Sequence, residues 1–174
     1  MKSLIVIDMQ NDFIDGVLGT KEAVAILPNV KKKIAEYTQS CNDVMYTKDT
    51  HGSDYMDTSE GKHLPIPHCV RGSSGWEIVD GLYVDGCDVI HKDRFGYNNW
   101  FTFYNIPGFR DGDEVELVGV CTDICVVSNA LIMKAQLPNV TITVDASCCA
   151  GTTPENHKAA LRVMKSCQIN VINE

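Results

Sequence analysis

Neither a surplus of positive charge, nor a CxxC pair, nor an apolar run long enough to cross a bilayer, nor a low-complexity tract occurs in this 174-residue chain. Each absence excludes something. With Lys+Arg 15 against Asp+Glu 23, the formal net charge is -8, so the basic footprint that nucleic acid or an anionic membrane requires is missing. The longest basic run, Lys31 to Lys33, falls in a predicted helix and reads as a solvated face. The opening MKSLIVIDMQ carries one lysine and an apolar run of four residues ended by an acid, which is neither a signal peptide nor a span. A cytoplasmic location is expected. Thiols stay reduced there, which demotes a disulfide reading of the eight cysteines. Cys41, Cys87, Cys148, Cys149 and Cys167 are then expected to be small buried hydrophobes.

What is present is alternation. Short β-rich runs at Leu4 to Asp8, Val44 to Thr47, Asp88 to Lys92, Glu114 to Val120, Val140 to Asp145 and Ile169 to Ile172 are separated by helical patterns. This predicts a three-layer α/β/α fold, with a parallel, doubly wound sheet of about six strands, in a single domain over residues 1–174. One helix is expected to begin near Pro28. A second is expected to follow Thr122 as its N-cap, with Ile124, Val127, Leu131 and Ala135 along one stripe. A third should open at Thr153-Pro154-Glu155 and run to Cys167. The stretch from His51 to Val79 has neither period, and a connection that long in a compact domain is usually functional.

In open α/β sheets, ligands bind beyond the carboxyl ends of the strands. Asp8, Asp49, His51, Lys92 and the turn from Cys121 to Cys125 all fall at those ends. Cys125 in the first turn of a helix has unpaired N–H groups and the helix dipole to favour a thiolate, helped by a nearby Lys92. Asp8 could accept the thiol proton. The three supply a nucleophile, a base and a charge stabiliser, and the helix start offers N–H groups to an oxyanion. Taken singly, Cys125 reads as a core residue and Asp8 as a capping acid; together they favour catalysis. Cys121, four residues earlier, has no zinc-ribbon partner spacing and reads as a turn residue lining the site.

Asp49 and His51, two apart in extended chain, point the same way and can share a ligand, with Glu60 and His68 beyond them. A mixed imidazole and carboxylate set with open positions suits Zn²⁺, Fe²⁺ or Mn²⁺. His157 reads as structural, and His63 has no evident role.

IVIDMQNDF at the start, HK at Lys92, VGVCTDICV around Cys125 and PENH at Pro154 to His157 together resemble the isochorismatase-like cysteine hydrolases over nearly the whole chain. The resemblance implies that fold, a triad of Asp8, Lys92 and Cys125, a cis peptide between Val120 and Cys121, and an oxyanion hole from the N–H groups of Cys121 and Cys125. DTH, Glu60 and HCVRG at His68 to Gly72 resemble the nicotinamidase branch. This implies hydrolysis of nicotinamide to nicotinate and ammonia through a Cys125 thioester. It also implies one divalent metal on Asp49, His51, Glu60 and His68, zinc first, with iron or manganese as alternatives. Phe13, Tyr97 and Val120 become the substrate contacts, a small-molecule amide the partner, and a homo-oligomer the expected assembly. One departure is Pro65, at a position where the branch commonly carries a pocket aromatic; stacking then falls to Phe13, with Phe95 or Tyr97. An amidase of N-carbamoyl or ureido compounds is the alternative enzyme. A binding or metal-sensing protein is the alternative from another class, which the intact Asp8, Lys92 and Cys125 disfavour.

Overall fold

The alternating patterns resolve into one sheet with helices on both faces. A computed structural model describes residues 1–100, 102–103, 106–107 and 109–174. In chain order the elements are β1 (Lys2–Ile7), α1 (Asn11–Ile14), α2 (Lys21–Gln39), β2 (Asp43–Asp49), α3 (Ser59–His63), β3 (Asp88–Lys92), β4 (Thr102–Phe103), β5 (Ile106–Pro107), β6 (Glu114–Val120), α4 (Val127–Gln136), β7 (Thr141–Ala150), α5 (Pro154–Ser166) and β8 (Asn170–Ile172). Six strands pair in the order β3-β2-β1-β6-β7-β8, all parallel, while β4 and β5 form a separate antiparallel ribbon. The chain winds outward from β1 in one direction and from β6 in the other. The switch point is therefore between β1 and β6, where open α/β sheets bind their ligands.

Strand alternation explains the two cores. Ile5 and Ile7 face one side with Leu117 and Val144, against Val126, Ala130 and Met133 from the α4 segment and Leu161 and Met164 of α5. Leu4 and Val6 face the other, with Val44, Tyr46 and Val118, against Ile26, Val30 and Ile34 of α2. Side chains two apart on a strand share a face, so an apolar run buried on both sides makes a central strand. Each fully buried Leu or Ile in β1 contributes roughly 1.5–3 kcal/mol relative to exposure.

Four expectations are corrected. Pro28 lies inside α2, not at its start; the helix begins at Lys21 because the Thr20 side chain accepts from Ala23 N. Strand β7 runs past Asp145 to Ala150, because Cys149 and Ala150 pair with Gly119 and Val120 beyond an irregularity. Of the five cysteines expected to be buried, Cys148 and Cys149 are, whereas Cys41 and Cys167 are exposed at helix ends and Cys87 is half-buried; all eight are free thiols. Lys33 is not a solvated charge: its Nζ lies 2.7 Å from Glu116 and 2.9 Å from Asp145, under α2 on the sheet. The predicted start of α5 is as observed, with Thr153 capping Asn156 N and Pro154 at the first position.

Candidate active site

At the carboxyl end of β1 the chain turns at Asp8, which has φ 50, and leaves the sheet. Its buried carboxylate accepts from Thr47 Oγ1 at 2.6 Å and lies 2.6 Å from Lys92 Nζ, which reaches over from the end of β3. Lys92 Nζ also stands 3.4 Å from Asp49 Oδ1 and 3.6 Å from Cys125 Sγ. Three strand ends and one helix start thus meet at one ammonium group.

Cys125 follows β6. The Val120–Cys121 peptide is cis, and Cys121 stands at the helix cap with extended backbone. The first turn, Thr122–Val126, is a π-turn in which Val126 N donates to Cys121 O at 3.1 Å. Such turns are frequent at functional sites. Thr122 is therefore not the N-cap; its hydroxyl instead pairs with His157 Nδ1 at 2.8 Å, which gives His157 its structural place. Upstream, Gly119 has φ +121, and a Cβ there would collide with Ile7 O, so only glycine lets β6 lie this close to β1.

The electrostatics differ from the expected activated thiolate. Burial pushes the Cys125 thiol well above its ordinary value; Lys92 opposes this, while the Asp8 and Asp49 charges and the bond to Asp8 add to it. Burial also raises the Asp8 carboxyl, against the pull of Lys92 and with help from Asp49. Burial and the neighbouring acids thus push both the thiol and the carboxyl upward, with Lys92 opposing each.

The second cluster adjoins the first. His51 Nε2 lies 3.0 Å from Asp49 Oδ2 and 3.7 Å from Glu60 Oε1, and His68 Nε2 lies 3.6 Å and 3.7 Å from the same oxygens. One donor atom from each of Asp49, His51, Glu60 and His68 lies within 4.8 Å of all the others. Glu60 is brought there by α3, capped by Thr58. His68 Nδ1 donates to Ile66 O at 2.9 Å, which leaves Nε2 facing the cluster, as a metal-binding imidazole requires. Tyr55 packs edge-on against both imidazoles. Two imidazole nitrogens and two carboxylates, all buried but the half-buried Glu60, converge so as to fit a divalent cation. Burial alone would raise the Asp49 carboxyl, yet the neighbouring His51, His68 and Lys92 hold it below its ordinary value.

Cys125 and the second cluster open into one cavity of about 1100 Å³. Phe13, Val120, Cys121 and Cys125 line it together with Asp49, His51, Glu60 and His68. The Phe13 ring lies 5.4 Å from the His68 ring. Asp8 and Lys92 lie outside that lining, fully buried. Tyr97 does not line the cavity either: it packs edge-on against Trp100 at 5.1 Å, and Phe95, two residues earlier, takes the wall. Pro65 is exposed and leaves its stretch of wall to Leu64. His63 also reaches the lining, its Nδ1 bonded to Ser59 O, while His91, next to Lys92 in the chain, stacks on Trp76 outside that lining.

Two buried polar residues outside the predicted set meet the site. Asn129 accepts from Tyr97 N at 2.8 Å and donates to Cys125 O at 2.8 Å, tying the nucleophile turn to the segment that carries Phe95. Its signal in the sequence is an amide directly before the apolar run Ala130 to Met133 of α4. Gln10 grips the main chain of Asp49.

Comparisons with known proteins give the family and the fold. A sequence model of the isochorismatase domain matches residues 2–174. A nicotinamidase/pyrazinamidase of Mycobacterium tuberculosis is 28% identical over 186 residues, covering 99% of this chain and 98% of its own. A probable inactive nicotinamidase of Arabidopsis thaliana is 32% identical over 180 residues, covering 94% of this chain and 88% of its own. Among solved structures, the pyrazinamidase of Pyrococcus horikoshii in complex with zinc superposes with a TM-score of 0.83 at 25% identity, over 99% of both chains.

Proposed function

Because the chain belongs to the isochorismatase domain family, we propose that it hydrolyses nicotinamide to nicotinate and ammonia. The observation that carries this reading is the adjacency of the two clusters: Lys92 touches Asp8 and Asp49 and faces Cys125, so a nucleophile and a candidate cation site share one cavity.

Asp8 takes the thiol proton as Cys125 Sγ attacks the amide carbon, with the raised carboxyl suited to that transfer. Lys92 offsets the negative charge that then resides on the buried pair. The carbonyl oxygen becomes an oxyanion held by the N–H groups of Cys121 and Cys125. As it collapses, the C–N bond breaks and the proton on Asp8 passes to the leaving nitrogen, giving ammonia and a thioester. Water then attacks the thioester carbon, Asp8 accepts its proton, the C–S bond breaks, and the proton returns to Sγ as the carboxylic acid leaves. Phe13 supports the ring of the substrate beside His68. Asp49, His51, Glu60 and His68 would hold a divalent cation, zinc first with iron or manganese as alternatives, whose Lewis acidity supplies an anchor for the pyridine nitrogen.

Ammonia release from nicotinamide by purified protein, with and without a chelator and beside a panel of other amides, tests the reading. No release from nicotinamide under any metal loading overturns it. The probable inactive relative makes turnover itself the first quantity to measure. A second reading, an amidase of N-carbamoyl or ureido compounds, is favoured by one observation: at Pro65 the cavity wall is left to aliphatic Leu64. Release from those compounds alone would decide for it. The proposal takes a small amide as the partner, and a cytoplasmic homo-oligomer as the working form. No described helix is long and apolar enough to cross a membrane.

A further inference from the structure

We propose that Gln10 is a positioning residue for the candidate cation site, holding the main chain of Asp49 in place of the strand pairing that β1 gives up at Asp8. The inference rests on the reading of Asp49, His51, Glu60 and His68 as metal ligands.

The need arises from Asp8. Strands β1 and β2 pair in register as far as Ile7 and Thr47. At Asp8 the backbone enters the left-handed region, and the chain departs from the sheet. Strand β2 continues for two residues beyond Thr47, to Asp49, with β3 on its far side and no β1 backbone on its near side. Asp49 is buried, and a buried N–H or C=O left without a partner loses the hydrogen bonds water would give it.

Gln10 meets that need with its side chain. Asp49 N donates to Gln10 Oε1 at 2.7 Å, and Gln10 Nε2 donates to Asp49 O at 2.8 Å, so one amide takes both near-side groups as a neighbouring strand would. The second Nε2 hydrogen goes to Trp76 O at 2.9 Å. Gln10 is itself fully buried, and every polar valence of its amide is used apart from a second lone pair on Oε1. An isosteric carboxylate would face two carbonyl oxygens, and an apolar side chain would leave Asp49 unpaired on that side.

The consequence reaches the ligands because Asp49 is the hub between the clusters. Its carboxylate touches Lys92 through Oδ1 and both imidazoles through Oδ2. His51 follows two residues later. Loss of a group that orients metal ligands commonly lowers affinity 10–100-fold.

Cobalt(II) titration, followed by its visible absorption, tests the proposal on wild type, Gln10→Ala, Gln10→Met and Met164→Ala. Gln10→Met keeps most of the volume without the amide, and Met164→Ala truncates the core in α5, outside the cavity lining and the four ligands. The expected result is at least tenfold weaker cobalt binding by both Gln10 variants, folded by circular dichroism, with wild-type affinity in Met164→Ala even though it too melts at lower temperature. Unchanged affinity in a folded Gln10→Met overturns the proposal, and so does failure of both Gln10 variants to fold, which would make the residue purely structural. Weakening in Met164→Ala equal to that in the Gln10 variants overturns it as well. A wild-type chain that binds no divalent ion removes the metal reading itself, a different failure from a wild type and a Gln10→Met that bind alike.

Discussion

The Lys92 ammonium stands 3.4 Å from Asp49 Oδ1, although it also pairs with Asp8 at 2.6 Å. One buried cation therefore neutralises a carboxylate in each cluster. Removing it would leave the buried Asp8 without its ion-pair partner and take one positive charge from Asp49. Lys92→Met should cost about 3–5 kcal/mol of stability, as removal of one partner from a buried ion pair does. Denaturant melts of the variant check this, and a loss below about 1 kcal/mol, the range of surface pairs, would count against the hub.

The two thiols of the β6 turn should separate by function. Cys125→Ala is expected to lower ammonia release by a factor on the order of a thousand or more, as loss of a nucleophile does. Cys121→Ala should keep most activity, since only the main chain of Cys121 is assigned a role. Equal loss in both variants would return a shared role for the sulfurs. Mass spectrometry of a quenched reaction should find an acyl adduct on Cys125 alone.

Metal removal should destabilise the fold. Asp49 and Glu60 bring carboxylate oxygens within 4.8 Å of one another, and without a cation they repel. At a free ion concentration about a hundred times the dissociation constant, binding adds about 2.7 kcal/mol. A melting temperature that a chelator leaves unchanged, and that added zinc does not raise, would contradict the assignment.

Phe13 is the one predicted aromatic contact that both lines the cavity and packs on His68. Phe13→Leu should raise KM for nicotinamide several-fold, since an aromatic contact contributes about 0.5–1.5 kcal/mol beyond its area. Tyr97→Leu should leave KM near wild type, because its ring packs on Trp100 outside the cavity lining. Steady-state kinetics of the pair distinguish the two aromatics.

A pH-dependent prediction concerns Lys33, away from the site. Its Nζ pairs with Glu116 and Asp145, and Tyr37 donates to Glu116 at 2.7 Å. Burial alone would raise the Asp145 carboxyl, but Lys33, Ser147 and Asn173 hold it below its ordinary 3.8. Burial alone would lower Lys33, but its two acids raise it above 10.5. A depressed acid contributes stability above its unfolded pKa, which is lost as pH falls through the folded value; a raised base contributes below its unfolded pKa, which is lost as pH rises through the folded value. Lys33→Met should therefore be most destabilising, relative to wild type, between about pH 4 and 10, with the gap closing at acid pH. Melts from pH 2.5 to 7 check this, and a constant gap would oppose it.

Much of this was legible in the chain because its signals are local. Alternation of apolar runs with helical stripes follows from the periods of strand and helix, so the parallel sheet and the α5 start at Thr153-Pro154 were readable. The D-x-H pair was too, since residues two apart in extended chain must share a side. Pro28 misled because a proline at a first helical position and one inside a helix look alike without the cap, and the Thr20 cap decided it. Asp8, Asp49, His51 and Lys92 at strand ends could be nominated from the same periods, together with Cys125.

Their convergence could not be read locally. That Lys92 crosses β2 to reach Asp8, that the two clusters share Asp49, and that burial among carboxylates pushes the Cys125 thiol upward depend on strand order and depth, which are non-local. Gln10 and Asn129 lay equally out of reach. An amide in a sequence does not announce which main chain it will hold, and only packing brings Asp49 to one and Cys125 to the other. The residue types and their local spacing determined which chemistry could be present; the crossing of distant segments decided which groups face one another, because hydrogen bonds and charge interactions depend on distances that sequence separation does not set.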